Sequence, residues 1–139
     1  MAEQQAQGAV LFADVSGSTK LYETAGDQVA KAAIDECVRI MRERTEAAKG
    51  RVIKTMGDEV MSTFPAADDA MNAAKRMQER ISTDRELTHD NGRVAIRIGC
   101  HYGPVVQEQR DVFGSAVHTA NRMTSQAKAN QIITTLATV

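Results

Sequence analysis

Ala9-Val10-Leu11-Phe12-Ala13-Asp14-Val15-Ser16-Gly17-Ser18-Thr19 changes character half-way along, and that change decides the fold. Its first five residues are a short continuous apolar run bounded by turn-prone residues, the pattern of a central strand buried on both faces. Asp14 therefore stands at a strand's carboxyl end, and Ser16-Gly17-Ser18-Thr19 leads out of it. From Thr19 the pattern turns helical and breaks near Gly26-Asp27. It resumes with Ala30, Ile34, Cys37, Val38 and Met41 along one face until Gly50, with Asp27 placed to cap the longer helix.

Further along, Val52-Ile53-Lys54-Thr55 and Val60-Met61-Ser62-Thr63-Phe64 have strand character, and Gly57-Asp58 supplies the backbone freedom of a tight hairpin between them. Pro65 stops the second strand, after which Ala70, Ala74, Met77 and Ile81 recur at helical spacing. The polar run Thr83 to Gly92 predicts a surface loop, and the alternation of Val94, Ile96, Ile98 and Cys100 with polar or small residues predicts a half-buried strand. Val105-Val106 opens a short return strand, residues 114–127 are helical, and residues 131–135 form a last strand. The order predicts an α+β domain: a ferredoxin-like βαββαβ sheet with helices on one face and a carboxy-terminal helix-strand extension. In that topology the hairpin tip lies beside the end of the first strand, so Asp14 and Asp58 are expected to be neighbours.

The chain has 139 residues, 42% of them apolar and 25% charged, the balance of one globular domain. Seventeen Lys and Arg stand against eighteen Asp and Glu, which gives no reason to expect nucleic acid or an acidic membrane as the main partner. No stretch approaches the roughly 20 apolar residues of a membrane span, and the polar opening Met1-Ala2-Glu3-Gln4-Gln5 is unlike a signal peptide, so a cytoplasmic location is expected. Cys37 and Cys100 have no second Cys or His at metal-ligand spacing, and are expected to be core thiols. His101 on a strand is expected to be structural, His89 in the polar loop solvated, and Met41, Met71 and Met77 part of the helix core or its flank.

Two carboxylates at adjacent strand ends, one beside a Ser-Gly-Ser-Thr turn entering a helix, suit a divalent cation with a polyphosphate: the cation takes oxygen ligands and backbone N–H groups hold phosphate oxygens. Taken singly, Asp14 is better explained as a helix cap and Asp58 as a turn former. The residues in combination resemble the class III nucleotidyl cyclases, most of all the bacterial adenylate cyclases, from about Ala9 to Ile133. Residues 9–19 resemble that family's first metal-binding strand and phosphate loop, and Lys54-Thr55-Met56-Gly57-Asp58-Glu59-Val60-Met61 its base-recognising Lys and second metal Asp. Ile98-Gly99-Cys100-His101-Tyr102-Gly103 is similar to the strand before the purine segment. Asp111-Val112-Phe113-Gly114-Ser115-Ala116-Val117-His118-Thr119-Ala120-Asn121-Arg122-Met123 is similar to the last catalytic segment.

The resemblance implies that residues 1–139 are a cyclase catalytic domain lacking its carboxy-terminal strands, which converts ATP to 3′,5′-cyclic AMP and pyrophosphate by in-line attack of the ribose 3′-hydroxyl on the α-phosphorus. Asp14, Asp58 and the Val15 carbonyl would hold two Mg²⁺ or Mn²⁺ ions, and Ser16, Gly17, Ser18 and Thr19 would line the triphosphate. Lys54 and Asp111 would read the purine edge: a Lys donor facing adenine N1 and an Asp accepting from the 6-amino group favour ATP over GTP. Arg122 would stabilise charge on the transferring phosphoryl group. The implied state is a head-to-tail homodimer whose metal carboxylates face Lys54, Asp111, His118 and Arg122 of the other chain, with a fused regulatory domain outside this chain as a further implied partner. Two departures stand out. His118 takes the place of the family's ribose-orienting Asn, and no lysine here matches the triphosphate-binding Lys of its later strands. They support an alternative, a catalytically weak cyclase-like module for nucleotide-dependent regulation or dimerisation.

Overall fold

The computed structural model of the chain describes residues 3–17, 21–23, 26–83, 94–108, 111–129 and 131–134. Its elements are β1 (Glu3–Ser16), α1 (Asp27–Ala47), β2 (Arg51–Met56), β3 (Glu59–Phe64), α2 (Ala67–Ser82), β4 (Ala95–Glu108), β5 (Asp111–Phe113), α3 (Ser115–Gln126) and β6 (Ile132–Thr134). The sheet runs β2-β3-β1-β4-β5, with β6 parallel beside β4 and every other pairing antiparallel. This is the expected split βαββαβ order with its helix-strand extension. Ser18, Thr19, His89 and most of the predicted polar loop lie outside the described residues.

Strand alternation sorts β1 into two faces. Ala9, Leu11, Ala13 and Val15 enter the larger core under α1 and α2, which supply Ile34, Ile40, Met41, Ala74, Met77 and Ile81. Val10 and Phe12 point the opposite way, into a second core closed by Ala116 and Ala120 of α3. The two helices of the βαββαβ core thus share one face, as expected, and the helix of the carboxy-terminal extension covers the other. The reason lies at the surface of α3. It approaches the sheet on the small residues Ala116, Ala120 and Thr124, all buried, and meets Gly99 of β4, where a Cβ would fall 2.1 Å from the Thr124 backbone nitrogen. Only a residue without a side chain allows that approach.

Three boundaries also move. β1 begins at Glu3, because the polar residues before Ala9 are held by a ladder to β4 that runs from Glu3↔Glu108 to Ser16↔Ala95. β4 continues through Val105-Val106 to Glu108, and the return strand is β5. Asp27 does not cap α1: the cap position is Gly26, at φ 88°, and Asp27 sits in the first turn, where its charge favours the helix dipole.

The long β1–β4 ribbon has a positional consequence. β3 pairs with β1 only over residues 9–14, so the outer part of the ribbon extends past the main sheet. Gly8 and Gly103 face each other where it leaves, a pairing that removes both side chains at the bend. β2 and β5 occupy opposite ends of the strand order, yet Lys54 Nζ and Asp111 Oδ2 are 3.2 Å apart. In a flat sheet four strand spacings of about 4.8 Å would separate them. The ribbon therefore curls over until the two edges meet.

Candidate functional site

Backbone pairing builds the first half of the site. Asp14 lies opposite Glu59 across β1–β3 and opposite Arg97 across β1–β4. The Val15 N–H donates to the Asp58 carbonyl at 3.2 Å, which binds the hairpin tip to the end of β1. Gly57, at φ 62°, gives that tip its left-handed turn. Asp14, Asp58 and Glu59 consequently gather at one corner, as the topology predicts for the first two. Arg97 donates to Asp14 Oδ2 from Nη2 at 2.9 Å and from Nε at 3.2 Å.

Burial raises the Asp14 pKa from its ordinary value, Arg97 opposes the rise, and the facing Asp58 carboxylate adds to it. Glu59 is raised as well, first by burial and then by the Asp14 charge. Carboxylates held together at this cost suit a hard divalent cation, which takes oxygen ligands. Among the described residues no group of three or more His, Cys, Asp or Glu is arranged to enclose a metal on its own. Two carboxylates with a neighbouring carbonyl are instead the donor set of a Mg²⁺ site that leaves positions for water and substrate phosphate. The set fits the implied ion, with Asp14, Asp58 and the Val15 carbonyl as the holding groups.

These shifts carry a sign. The folded pKa values of Asp14 and Glu59 lie above their unfolded ones, so the stability these groups contribute is full below about pH 4 and is lost as pH rises through the raised values. The melting temperature of the metal-free chain, relative to an Asp14→Asn variant, should fall as pH rises from about 4 to neutral. Mg²⁺ should restore it at neutral pH and not at pH ~4, where a proton competes for Asp14. A wild-type-to-variant difference independent of pH would contradict the assignment.

The second half of the site is the pair Lys54 and Asp111. A bulge between Val52 and Lys54 in β2 lets Val52 pack on the larger core while Lys54, opposite Met61, faces the side occupied by α3. Asp111 Oδ1 accepts from the Val112 N–H at 2.8 Å, which fixes the carboxylate and leaves Oδ2 to Lys54. Both side chains remain partly exposed. His118 and Arg122, one turn apart, lie on the exposed side of α3. Among the described residues neither is hydrogen-bonded or ion-paired to Asp14 or Asp58. Ser16 and Gly17 close β1, with Gly17 at φ 75° and its carbonyl accepting from the Leu21 N–H at 3.1 Å.

Arg97 and Glu59 were missed as site residues. Period-2 alternation puts Arg97 on a polar position of its strand, but only the β1–β4 register places it opposite Asp14. A cavity of about 240 Å³, lined in part by Gln7, Gly8, Arg51 and Val105, lies inside the curl of the sheet. Gln7 precedes Asp14 by seven residues of extended strand, on the order of 23 Å, so this cavity is separate from the acidic corner.

The sequence model of the adenylate and guanylate cyclase catalytic domain matches residues 1–139. An adenylate cyclase of Streptomyces coelicolor is 33% identical over 125 residues, covering 90% of this chain and 31% of the relative. The chain thus spans about a third of that protein's length. Among solved structures, an adenylate/guanylate cyclase/hydrolase from Silicibacter pomeroyi superposes with a TM-score of 0.84 at 26% identity, over 98% of this chain and 79% of the other. The catalytic core of a rhodopsin-guanylyl cyclase with converted specificity, in complex with ATPαS, gives 0.83 at 26% identity, over 98% and 81%.

Proposed function

Since the chain belongs to the adenylate and guanylate cyclase catalytic-domain family, we propose that it is a cytoplasmic adenylate cyclase domain, forming cyclic AMP and pyrophosphate from ATP at a homodimer interface. The observation that carries the choice of ATP is the Lys54–Asp111 pair, a donor and an acceptor 3.2 Å apart at the meeting edges of the sheet. Adenine offers an acceptor at N1 and a donor at its 6-amino group, and guanine offers the reverse. Lys54 donates to N1 and Asp111 accepts from the amine, each giving up its contact with the other for one with the base. A Lys54→Glu, Asp111→Asn double variant is expected to lose ATP turnover by about 10²-fold or more and to gain relative preference for GTP. An unchanged ATP-to-GTP ratio would remove these residues from base reading.

Asp14, Asp58 and the Val15 carbonyl hold the divalent cations, Mg²⁺ or Mn²⁺, which when bound acidify the ribose 3′-hydroxyl and offset charge on the triphosphate. Ser16, Gly17, Ser18 and Thr19 are assigned to the triphosphate, whose oxygens backbone N–H groups of such a turn can hold. Arg122 stabilises the charge that builds on the α-phosphoryl group, and His118 donates a hydrogen bond that orients the ribose. The exposure of His118 and Arg122 on α3, with no hydrogen bond or ion pair to Asp14 or Asp58 of their own chain among the described residues, supports a composite site. A two-fold partner would bring these side chains to its own carboxylates and create two equivalent sites. Among the described residues no helix is long and apolar enough to cross a membrane, in keeping with the proposed location.

His118 favours a second reading, a weakly catalytic module that responds to nucleotide, because an imidazole is bulkier than the amide it replaces. His118→Asn separates the two. Turnover by an enzyme handicapped at this position is expected to rise about tenfold, the scale of one hydrogen bond regained. A flat response would clear His118 of any part in the rate.

A further inference from the structure

We propose that Arg97 is a built-in stand-in for the divalent cation: its guanidinium holds Asp14 in the metal-free chain and must surrender it before a metal can bind, so that Arg97 sets the metal affinity of the site. This rests on the reading of Asp14 and Asp58 as metal-holding groups. Three carboxylates, Asp14, Asp58 and Glu59, meet where the ends of β1 and β3 are pinned together by the Val15–Asp58 backbone bond. The Asp14 side chain is only 14% exposed, so water screens it poorly. Arg97 answers that charge from the strand on the other side, with Nε and Nη2 both on Oδ2.

The register sets up the pairing. Asp14 and Arg97 are direct cross-strand partners on the same face, where opposite charges attract. A cation seeking Asp14 must compete for the same oxygen with a guanidinium that the backbone holds opposite it. The pairing therefore stabilises the empty site and weakens the filled one. Arg97 acts on the metal through Asp14 and is a positioning residue.

The test is Mn²⁺ binding to the full chain without nucleotide, read from the free-ion paramagnetic resonance signal, for wild type, Arg97→Gln, Arg97→Lys and Asp14→Asn. Arg97→Gln should bind Mn²⁺ roughly tenfold tighter, the scale of one charge-assisted hydrogen bond no longer opposed. Arg97→Lys should fall between it and wild type, and Asp14→Asn should not bind. Should Arg97→Gln fail to fold, the wild-type resonance decides: its Arg97 Nε–H signal, assigned by its loss in Arg97→Lys, should shift when Mg²⁺ is added and stay still in Asp14→Asn. Equal or weaker Mn²⁺ binding by folded Arg97→Gln, or an Nε–H signal unmoved by saturating Mg²⁺ in wild type, overturns the proposal. If wild type binds Mn²⁺, Asp14→Asn does not, and Arg97→Gln matches wild type, the metal site stands and the stand-in role alone falls. If no form binds, both fall.

Discussion

Asp14→Ala is expected to abolish cyclic nucleotide formation, by at least about 10³-fold, without unfolding the chain. The size follows from the proposed role: Asp14 is the carboxylate at the centre of the acidic corner assigned to the metal, and removing one group that stabilises transition-state charge typically costs about 10²- to 10³-fold even when the others remain. The fold should persist because Asp14 is held in β1 by its backbone, opposite Glu59 on one side and Arg97 on the other. Burial disfavours its charge, so the metal-free variant should melt no lower than wild type at neutral pH. Circular dichroism melts and product assays on the same sample separate loss of chemistry from loss of structure. Mixing Asp14→Ala with Arg122→Ala tests the composite site further. Half the dimers formed at random would be mixed and each would hold one intact site, giving about a quarter of wild-type activity from two inactive proteins. No recovery on mixing would place all the residues in one chain's site.

The second large effect is structural in origin. Gly99→Ala adds a methyl group 2.1 Å from the Thr124 nitrogen, 2.4 Å from Thr124 Oγ1 and 2.7 Å from the Ala120 carbonyl oxygen. Two of these three atoms are backbone, which cannot rotate away, so α3 must lift from the sheet. Overpacking of this kind costs about 1–3 kcal/mol and sometimes more, and α3 carries His118 and Arg122. A shift of about 1 Å in catalytic groups lowers rates by about 10²-fold, so activity should fall beyond what the loss of folded protein explains. Gly8→Ala is the matched control, its added methyl meeting the Phe64 carbonyl oxygen at an ordinary 3.5 Å. Equal melting temperatures for Gly99→Ala and wild type would show that the close packing of α3 is not needed.

Local chemistry made some of this architecture readable in advance. The apolar run 9–13, the Gly57-Asp58 turn and the Ala70–Ile81 periodicity each point to one element, and their order brings Asp14 to Asp58. Strand residues Glu3 to Gln7 carry no such signal, since polar side chains on a ladder edge look like any polar leader. Their strand character comes from pairing with residues about a hundred positions away. The same ladder carries β4 through Pro104, which in isolation marks a break. Arg97 is the functional counterpart: its partner is chosen by register, and register follows from the whole sheet. Lys54 and Asp111 were singled out by family resemblance. Their contact across the meeting edges follows from a curl that no local pattern encodes.

Product analysis tests the central claim most directly: the purified chain supplied with ATP or GTP and Mg²⁺ or Mn²⁺, over a range of protein concentrations, beside Asp14→Ala. Cyclic AMP from ATP, in excess over cyclic GMP from GTP, at a rate per chain that rises with concentration and is absent from Asp14→Ala, is the predicted result. No cyclic nucleotide under any of these conditions, from a folded chain that dimerises and binds ATP, would contradict it and leave a nucleotide-responsive module.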